Sequence, residues 1–317
     1  MPRSSLSQPQ KSANRRAAAK RLLVIYNPVA GSRRGRRQRY EAVLRRLRAA
    51  GSELTVRETT QRGDAESFAA GLTRQDCDLL VVAGGDGTIN EVVNGLGENR
   101  LGGAALPLGI IPLGTANVLA IEIGLRLSPE AVAKALLEGV VRPIGLGEAN
   151  GRRFLLMAGA GFDAHVVAGV DSGLKRWLGK GAYVWETLRQ FRRYPFPNFR
   201  LTIDGEKTEA CSVIAANARH YGGRFMIARA ARLEEPSLEV CLFTQGGRWH
   251  AMLYAAALIF DLLPRMKSVR HIRCKQLTID GPLEDPVQGD GDIVASLPAK
   301  LRILPAALNL VFPPEAK

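Results

Sequence analysis

The sequence predicts a doubly wound α/β domain followed by a mainly β domain. Two observations predict it. Short runs of Leu, Val and Ile alternate with segments of helical spacing as far as about residue 138. From 139 to about 305 the texture changes to short β-rich segments cut by Gly, Pro and charged turns. Residues 1–20 precede both as a disordered basic tail, and 21–138 form the first domain.

Residues 22–26 (LLVIY) read as a buried strand that ends at Asn27-Pro28. Over 36–50, Tyr40, Val43, Leu44 and Leu47 fall on one helical face and arginines on the other, with Gly51 as the stop. A strand at 54–56 and a helix over 64–72 follow, then a buried strand at 79–83 and a helix over 89–96. The fourth strand is 108–112, and a helix starts near Asn117. Such alternation places ligands at the carboxyl ends of the strands. In the second half the strand candidates are 154–158, 199–203, 212–216, 238–243 and 276–279. Helical patterns lie around 173–192 and 248–263.

Composition narrows the functions. Residues 1–48 carry fourteen basic residues and one acid, Glu41, so nearly all of the formal charge of +14 lies there. A nucleic-acid-coating chain spreads its cations along a groove or face, and this one does not, so no nucleic acid is expected. Local basic patches suit phosphate-bearing ligands or an anionic membrane. The four cysteines show no CxxC pairing and the four histidines no metal-ligand spacing, so a reducing compartment is the default. The longest apolar run, 251–260, has ten residues, about half of a membrane span. Residues 1–21 lack a signal-peptide core; their Arg and Ser content without acids also resembles an organellar presequence.

Three loops carry the chemistry. Gly84-Gly85-Asp86-Gly87-Thr88 joins a buried strand to a helix, where glycines let backbone amides approach an anion and the helix dipole favours it. Asp86 would repel a bare phosphate, so it points to a metal or a hydroxyl. Asn27 to Arg34 leaves the first strand through a turn into basic residues, and Leu113 to Asn117 leaves the fourth with a Gly, a hydroxyl and an amide at a helix cap. Tight strand-to-helix turns have the same composition, but three anion-compatible loops on one sheet edge favour a nucleotide. Neither GxxxxGK[ST] nor GxGxxG is present.

NPVAG, GGDGTINEVVNGL and IIPLGTANVLA, in this order and spacing, resemble the diacylglycerol kinase catalytic-domain family, which includes bacterial lipid kinases, sphingosine kinases and ceramide kinases. The resemblance runs from about residue 20 to 315. It implies ATP bound with Mg²⁺ between an α/β domain and a β-sandwich-like domain, and transfer of the γ-phosphate to a lipid hydroxyl. By position, the nucleotide site would comprise Asn27, Gly31, Arg33, Thr59, Gly84, Gly85, Asp86, Gly87, Thr88, Ile89, Asn90, Glu91, Gly114, Thr115 and Asn117, with Asp86 on the catalytic metal.

Val287 to Asp292 (VQGDGD) resembles the family's late acidic motif, so Asp290 and Asp292 join Asp86 as catalytic candidates. Phosphoryl transfer calls for a carboxylate able to take the hydroxyl proton, and either acid meets that need. Segments 301–305 and 308–312 match the family's return to the first domain, which adds about 306–317 to it and leaves 139–305 as the lipid-acceptor domain.

Three positions depart from the pattern. Val118 stands where many relatives have Asp, and Ser32 where a basic residue follows NPxxG. Only Glu235 remains as a ligand for the structural cation of some bacterial members.

Aromatic and basic residues over 175–194 (Trp177, Tyr183, Trp185) suit either a membrane-facing element or an ordinary amphipathic helix. The stripe over 249–266 suits core or an acyl-chain cleft. The expectation is a cytoplasmic lipid kinase bound peripherally to an anionic membrane. An NAD-kinase-like soluble kinase and a non-catalytic nucleotide-binding regulator are the competing readings, and Val118 and Ser32 keep the latter open.

Overall fold

The computed structural model describes residues 20–30, 34–97, 106–169, 186 and 189–314. The expected tail at 1–20, apart from Lys20, lies outside them, as do Gly31, Ser32, Arg33 and most of 173–192.

The first half builds the parallel sheet that the alternation predicts. β1 (Arg21–Tyr26), α1 (Arg34–Ala49), β2 (Glu53–Glu58), α2 (Asp64–Ala69), β3 (Leu79–Gly84), α3 (Asp86–Gly95), β4 (Leu108–Pro112), α4 (Val118–Glu122) and α5 (Pro129–Glu138) follow in order. The strands lie β2-β1-β3-β4, all parallel. β3 and β4 are buried throughout, as parallel strands covered on both faces must be, and β2 forms an exposed edge. α1 buries Tyr40, Val43, Leu44 and Leu47 as its spacing requires, and Tyr40 stacks on Tyr26 with ring centres 4.0 Å apart. Each such side chain contributes about 1.5–3 kcal/mol of burial.

Two helix ends differ from expectation by three residues. α2 stops at Ala69 instead of running to 72, because Ala70 is extended and Gly71 takes φ +84°. α3 starts at Asp86, so GDGT is its first turn and not a loop ahead of it. Its far end is fixed by close packing: a Cβ on Gly95 would lie 2.1 Å from the Glu66 carbonyl oxygen of α2.

The second half contains β5 (Val140–Ala149), β6 (Arg152–Phe154), β7 (Met157–Ala160), α6 (Phe162–Gly169), β8 (Phe199–Ile203), β9 (Glu206–Ala210), β10 (Ser212–Ala216), β11 (His220–Tyr221), β12 (Phe225–Met226) and β13 (Leu238–Phe243). After these come α7 (Arg248–Ile259), β14 (Val269–Cys274), β15 (Gln276–Asp280), β16 (Pro286–Gly289), β17 (Asp292–Ser296) and β18 (Ala299–Phe312). The apolar runs at 301–305 and 308–312 are one strand, β18, carrying an irregularity between Leu304 and Leu308. β18 pairs with β15 in the second half and runs parallel to β4 in the first, so one ten-stranded sheet spans both domains.

A six-stranded sheet, β14-β13-β10-β7-β16-β17, packs against the β18-β15-β8 end of the larger sheet. Alternation divides its side chains. Val213, Ala215, Val240 and Leu242 enter the core between the sheets, while Ile214, Ala216, Cys241 and Phe243 face α7. The sandwich-like expectation therefore holds. No helix among the described residues is long and apolar enough to cross a membrane.

Candidate active site

The loops after β1, β3 and β4 meet at one sheet edge. Asn27 closes the first: its Oδ1 accepts from Val29 N (3.0 Å) and Ala30 N (3.2 Å), and its Nδ2 donates to Thr88 Oγ1 at 2.9 Å. The hydroxyl of Thr88 is thereby held in the first turn of α3. The loops after β3 and β4 touch through glycines: a Cβ on Gly114 would lie 2.7 Å from Gly85 Cα and 2.8 Å from Asn117 Oδ1.

Asp86 ties the same two loops. Its two carboxylate oxygens accept from Val118 N and Leu119 N, each at 3.1 Å. Burial raises its carboxyl, and those amides oppose the rise. Val118, one of the three departures from the expected pattern, thus contributes its backbone amide here, while its side chain is buried.

Asn117 takes a left-handed φ of 49° and donates from Nδ2 to the Gly114 carbonyl at 3.1 Å. Its buried Oδ1 has no hydrogen-bond partner. Thr115 is exposed beside it, and Arg36 of α1 reaches Thr115 Oγ1 at 3.5 Å and the Ala30 carbonyl at 3.3 Å. Arg39 donates to the Pro112 carbonyl at 3.4 Å. Thr59 is buried at the end of β2, its amide bonded to Tyr26 O. The family resemblance pointed to Arg33, which lies outside the described residues; the described guanidiniums at this edge are those of Arg36 and Arg39, in the first and second turns of α1.

These features fit a nucleotide. The glycine contact leaves a backbone surface that any side chain would fill, and the first-turn amides of α3 have no intrahelical acceptors. Asn117 Oδ1 is an unmatched buried acceptor, and two guanidiniums flank the loops. Among the described residues no group of three His, Cys, Asp or Glu side chains is placed to hold a metal ion. A cation here would therefore be held chiefly by the nucleotide's phosphates, with one or two carboxylates.

Not every expected contact faces this edge. Ile89 is buried in the core and its amide closes the first helical turn on Gly85 O. Asn90 points to the second domain, donating to Asp290 Oδ2 (2.9 Å) and the Arg153 carbonyl (3.1 Å). Asn94 continues that seam by accepting from Arg153 N at 2.9 Å.

The two late acids play different parts. Asp290 sits at φ 54° and accepts four hydrogen bonds: Leu155 N (2.6 Å) and Asn90 Nδ2 on Oδ2, Leu156 N (2.8 Å) and Met157 N (3.0 Å) on Oδ1. Burial raises its carboxyl, and the four donors work against that. Every lone-pair direction is taken. Asp292 is half-exposed, and Arg62 Nη2 lies 3.2 Å from its Oδ1. Its Oδ2 is 3.6 Å from where a Gly87 Cβ would stand, so it faces the first turn of α3 from across the domain boundary.

A cleft of about 80 Å³ opens there, lined by Arg62, Glu66, Asn90, Glu91, Arg152 and Asp292 among others. The Arg152 guanidinium grips Glu66 with both nitrogens, at 2.8 and 3.0 Å, and braces the cleft across the domains. Arg62 and Arg152 escaped the sequence reading because nothing in the linear order relates them to residue 292.

Two more acids complete the picture. Glu235 pairs with Arg273 at 3.1 Å, so the carboxylate left for a structural cation holds a guanidinium instead. Asp163 at the start of α6 is held by the Tyr221 hydroxyl and has an unpartnered buried Oδ2; burial raises it, opposed by Tyr221 and Gln288. The sequence reading passed it over.

Known proteins share this fold and its two domains. The diacylglycerol kinase catalytic domain matches residues 21–149, and the YegS C-terminal NAD kinase beta sandwich-like domain matches 157–312. A Pseudomonas aeruginosa protein named as a YegS-like lipid kinase is 38% identical over 233 residues, covering 70% of this chain and 71% of the relative. The chain belongs to the diacylglycerol kinase catalytic-domain family. It is accordingly an enzyme, a kinase. The Bacillus subtilis diacylglycerol kinase is 28% identical over 301 residues, 93% of this chain and 97% of its own. A crystal structure from Bacillus anthracis, assigned as a diacylglycerol kinase, superposes with a TM-score of 0.77 at 25% identity, covering 97% of this chain and 99% of that one.

Proposed function

We propose that this family member transfers the γ-phosphate of ATP to the hydroxyl of a neutral membrane lipid. Diacylglycerol is the first acceptor to test, with ceramide and sphingoid bases next. The observation that carries the reading is the half-exposed carboxylate of Asp292, which reaches across the domain boundary to the first turn of α3.

Bound ATP with Mg²⁺ supplies the phosphoryl group and part of the charge neutralisation that phosphoryl transfer needs. The first-turn amides of α3, Gly85, Gly114, Thr115 and Asn117 would hold it, with Arg36 and Arg39 beside the phosphates. Asp292 takes the proton of the acceptor hydroxyl, and Arg62 keeps its carboxylate aimed at α3. Asp290 is a positioning residue: it fastens the turn before Asp292 to the 155–157 backbone and to Asn90 of α3. Asp86 is likewise a positioning residue, joining two nucleotide loops. The enzyme works from the cytoplasmic side as a peripheral membrane protein.

The test is phosphate transfer from radiolabelled ATP to diacylglycerol, ceramide and sphingosine in mixed micelles, with NAD as a parallel acceptor. Labelled lipid that requires Mg²⁺ is the expected product. Label in NAD alone would favour the soluble-kinase reading, toward which the name of the C-terminal domain points.

A further inference from the structure

α7 has two apolar faces, and among the described residues only one is covered. Tyr254 packs its ring against Phe243 with centres 4.9 Å apart, and Ala257 is buried beneath the helix. The opposite face carries Trp249, Met252, Leu253, Ala256, Ile259 and Phe260, at i, i+3, i+4, i+7, i+10 and i+11. These side chains are exposed: 66% for Trp249, 59% for Ile259 and 72% for Phe260. Leu262 extends the stripe into the following loop. An outward helix face is ordinarily polar, and one that is apolar has a partner.

Charge identifies the partner. No charged residue lies between Trp249 and Phe260. Over 245–267 the charged side chains are Arg248, Arg265 and Lys267 against one acid, Asp261, which is already paired with Arg229. An apolar stripe with a Trp near one end and cations at both ends matches the headgroup region of an anionic bilayer. Two copies of the chain meeting on this face would bring like charges together.

We propose that the outward face of α7, with Phe260 and Leu262, inserts into the headgroup region of an anionic membrane and so brings the enzyme to its acceptor. The proposal rests on the reading that the acceptor is a membrane lipid. α7 packs on the six-stranded sheet and contributes nothing to the nucleotide loops, so docking and chemistry are separable.

The test uses the full chain and vesicles of phosphatidylcholine with a minority of phosphatidylglycerol. Flotation should recover the wild type with these vesicles and less of it at high salt. The double variant Trp249→Glu, Ile259→Glu should bind at least about tenfold more weakly, since burial of one large apolar side chain alone is worth that much. Its rate on a short-chain, soluble diacylglycerol should equal the wild-type rate. Should the double variant fail to fold, a Trp177→Phe, Trp185→Phe protein leaves Trp249 as the one tryptophan, and its emission, excited selectively over tyrosine, should shift to the blue on vesicles. Unchanged vesicle binding by the double variant, or unshifted Trp249 emission, would overturn the proposal, as would a wild-type dimer that the double substitution dissolves. Vesicle binding as described without labelled lipid from any acceptor would instead sink the lipid-kinase reading and leave the surface standing.

Discussion

Replacing Asp290 by Asn removes one acceptor oxygen from a site built for two. Each oxygen of Asp290 receives two N–H donors. An amide offers one oxygen, so its NH₂ group must face two of the four donors. Two buried N–H groups then lose their partners, at about 1–3 kcal/mol each, which sums to about 2–6 kcal/mol of a total near 5–15 kcal/mol. For a chain of this size, with an unfolding entropy of about 2.1 cal/mol/K per residue, that lowers the melting temperature by about 3–9 °C. Asp292→Asn touches a half-exposed carboxylate with one ion pair to an exposed Arg62, and such pairs are worth no more than about 1 kcal/mol. Thermal melts of the two variants, followed by circular dichroism, should therefore separate clearly. An Asp290→Asn protein that melts with the wild type yet has lost all transfer activity would refute the assignment of Asp290 to positioning.

Three further outcomes follow from the same geometry. Gly114→Ala pushes a methyl group to 2.7 Å from Gly85 Cα, and calorimetry should show ATP affinity reduced at least about tenfold, with unchanged affinity counting against the cradle. Arg62→Ala should lower kcat about tenfold or more with little change in KM for ATP, because its guanidinium orients Asp292 and not the nucleotide; a wild-type kcat would remove it from the site. The Asp64 carboxyl is held below its usual range by the Thr60 backbone amide, then the Thr60 hydroxyl and the Gln61 amide. A depressed folded value stabilises above the unfolded one near about 4 and is lost as pH falls through the folded one, so melting should decline more steeply in acid for the wild type than for Asp64→Asn. Parallel declines would contradict that.

The parallel sheet was legible because β1, β3 and β4 are short runs rich in Leu, Val and Ile followed by turn residues, and both signals are local. α5 also carried a local signal, Ser128 capping Ala131 with Pro129 at the first position, which the sequence reading overlooked. What lay beyond local reading was everything set by pairing across long separations. β5 falls in a stretch with no strand candidate and is fixed by pairing with β18, which joins both halves of the chain.

The candidate site divides the same way. The three loops announced themselves through glycine, amide and hydroxyl residues at strand ends. The division of labour between Asp290 and Asp292 depends on Asn90, two hundred residues away, and on three backbone amides of 155–157 that carry no sequence mark. The outward stripe of α7 was visible as periodicity, but whether it faced core or solvent depended on which side the sheet occupies.

The most direct test of the central claim is the rate of lipid phosphorylation by Asp292→Asn in mixed micelles, with ATP binding measured on the same preparation. Loss of the proton acceptor should lower kcat by about a hundredfold or more while the ATP dissociation constant stays where it was. Turnover at the wild-type rate would place the base elsewhere and contradict the account.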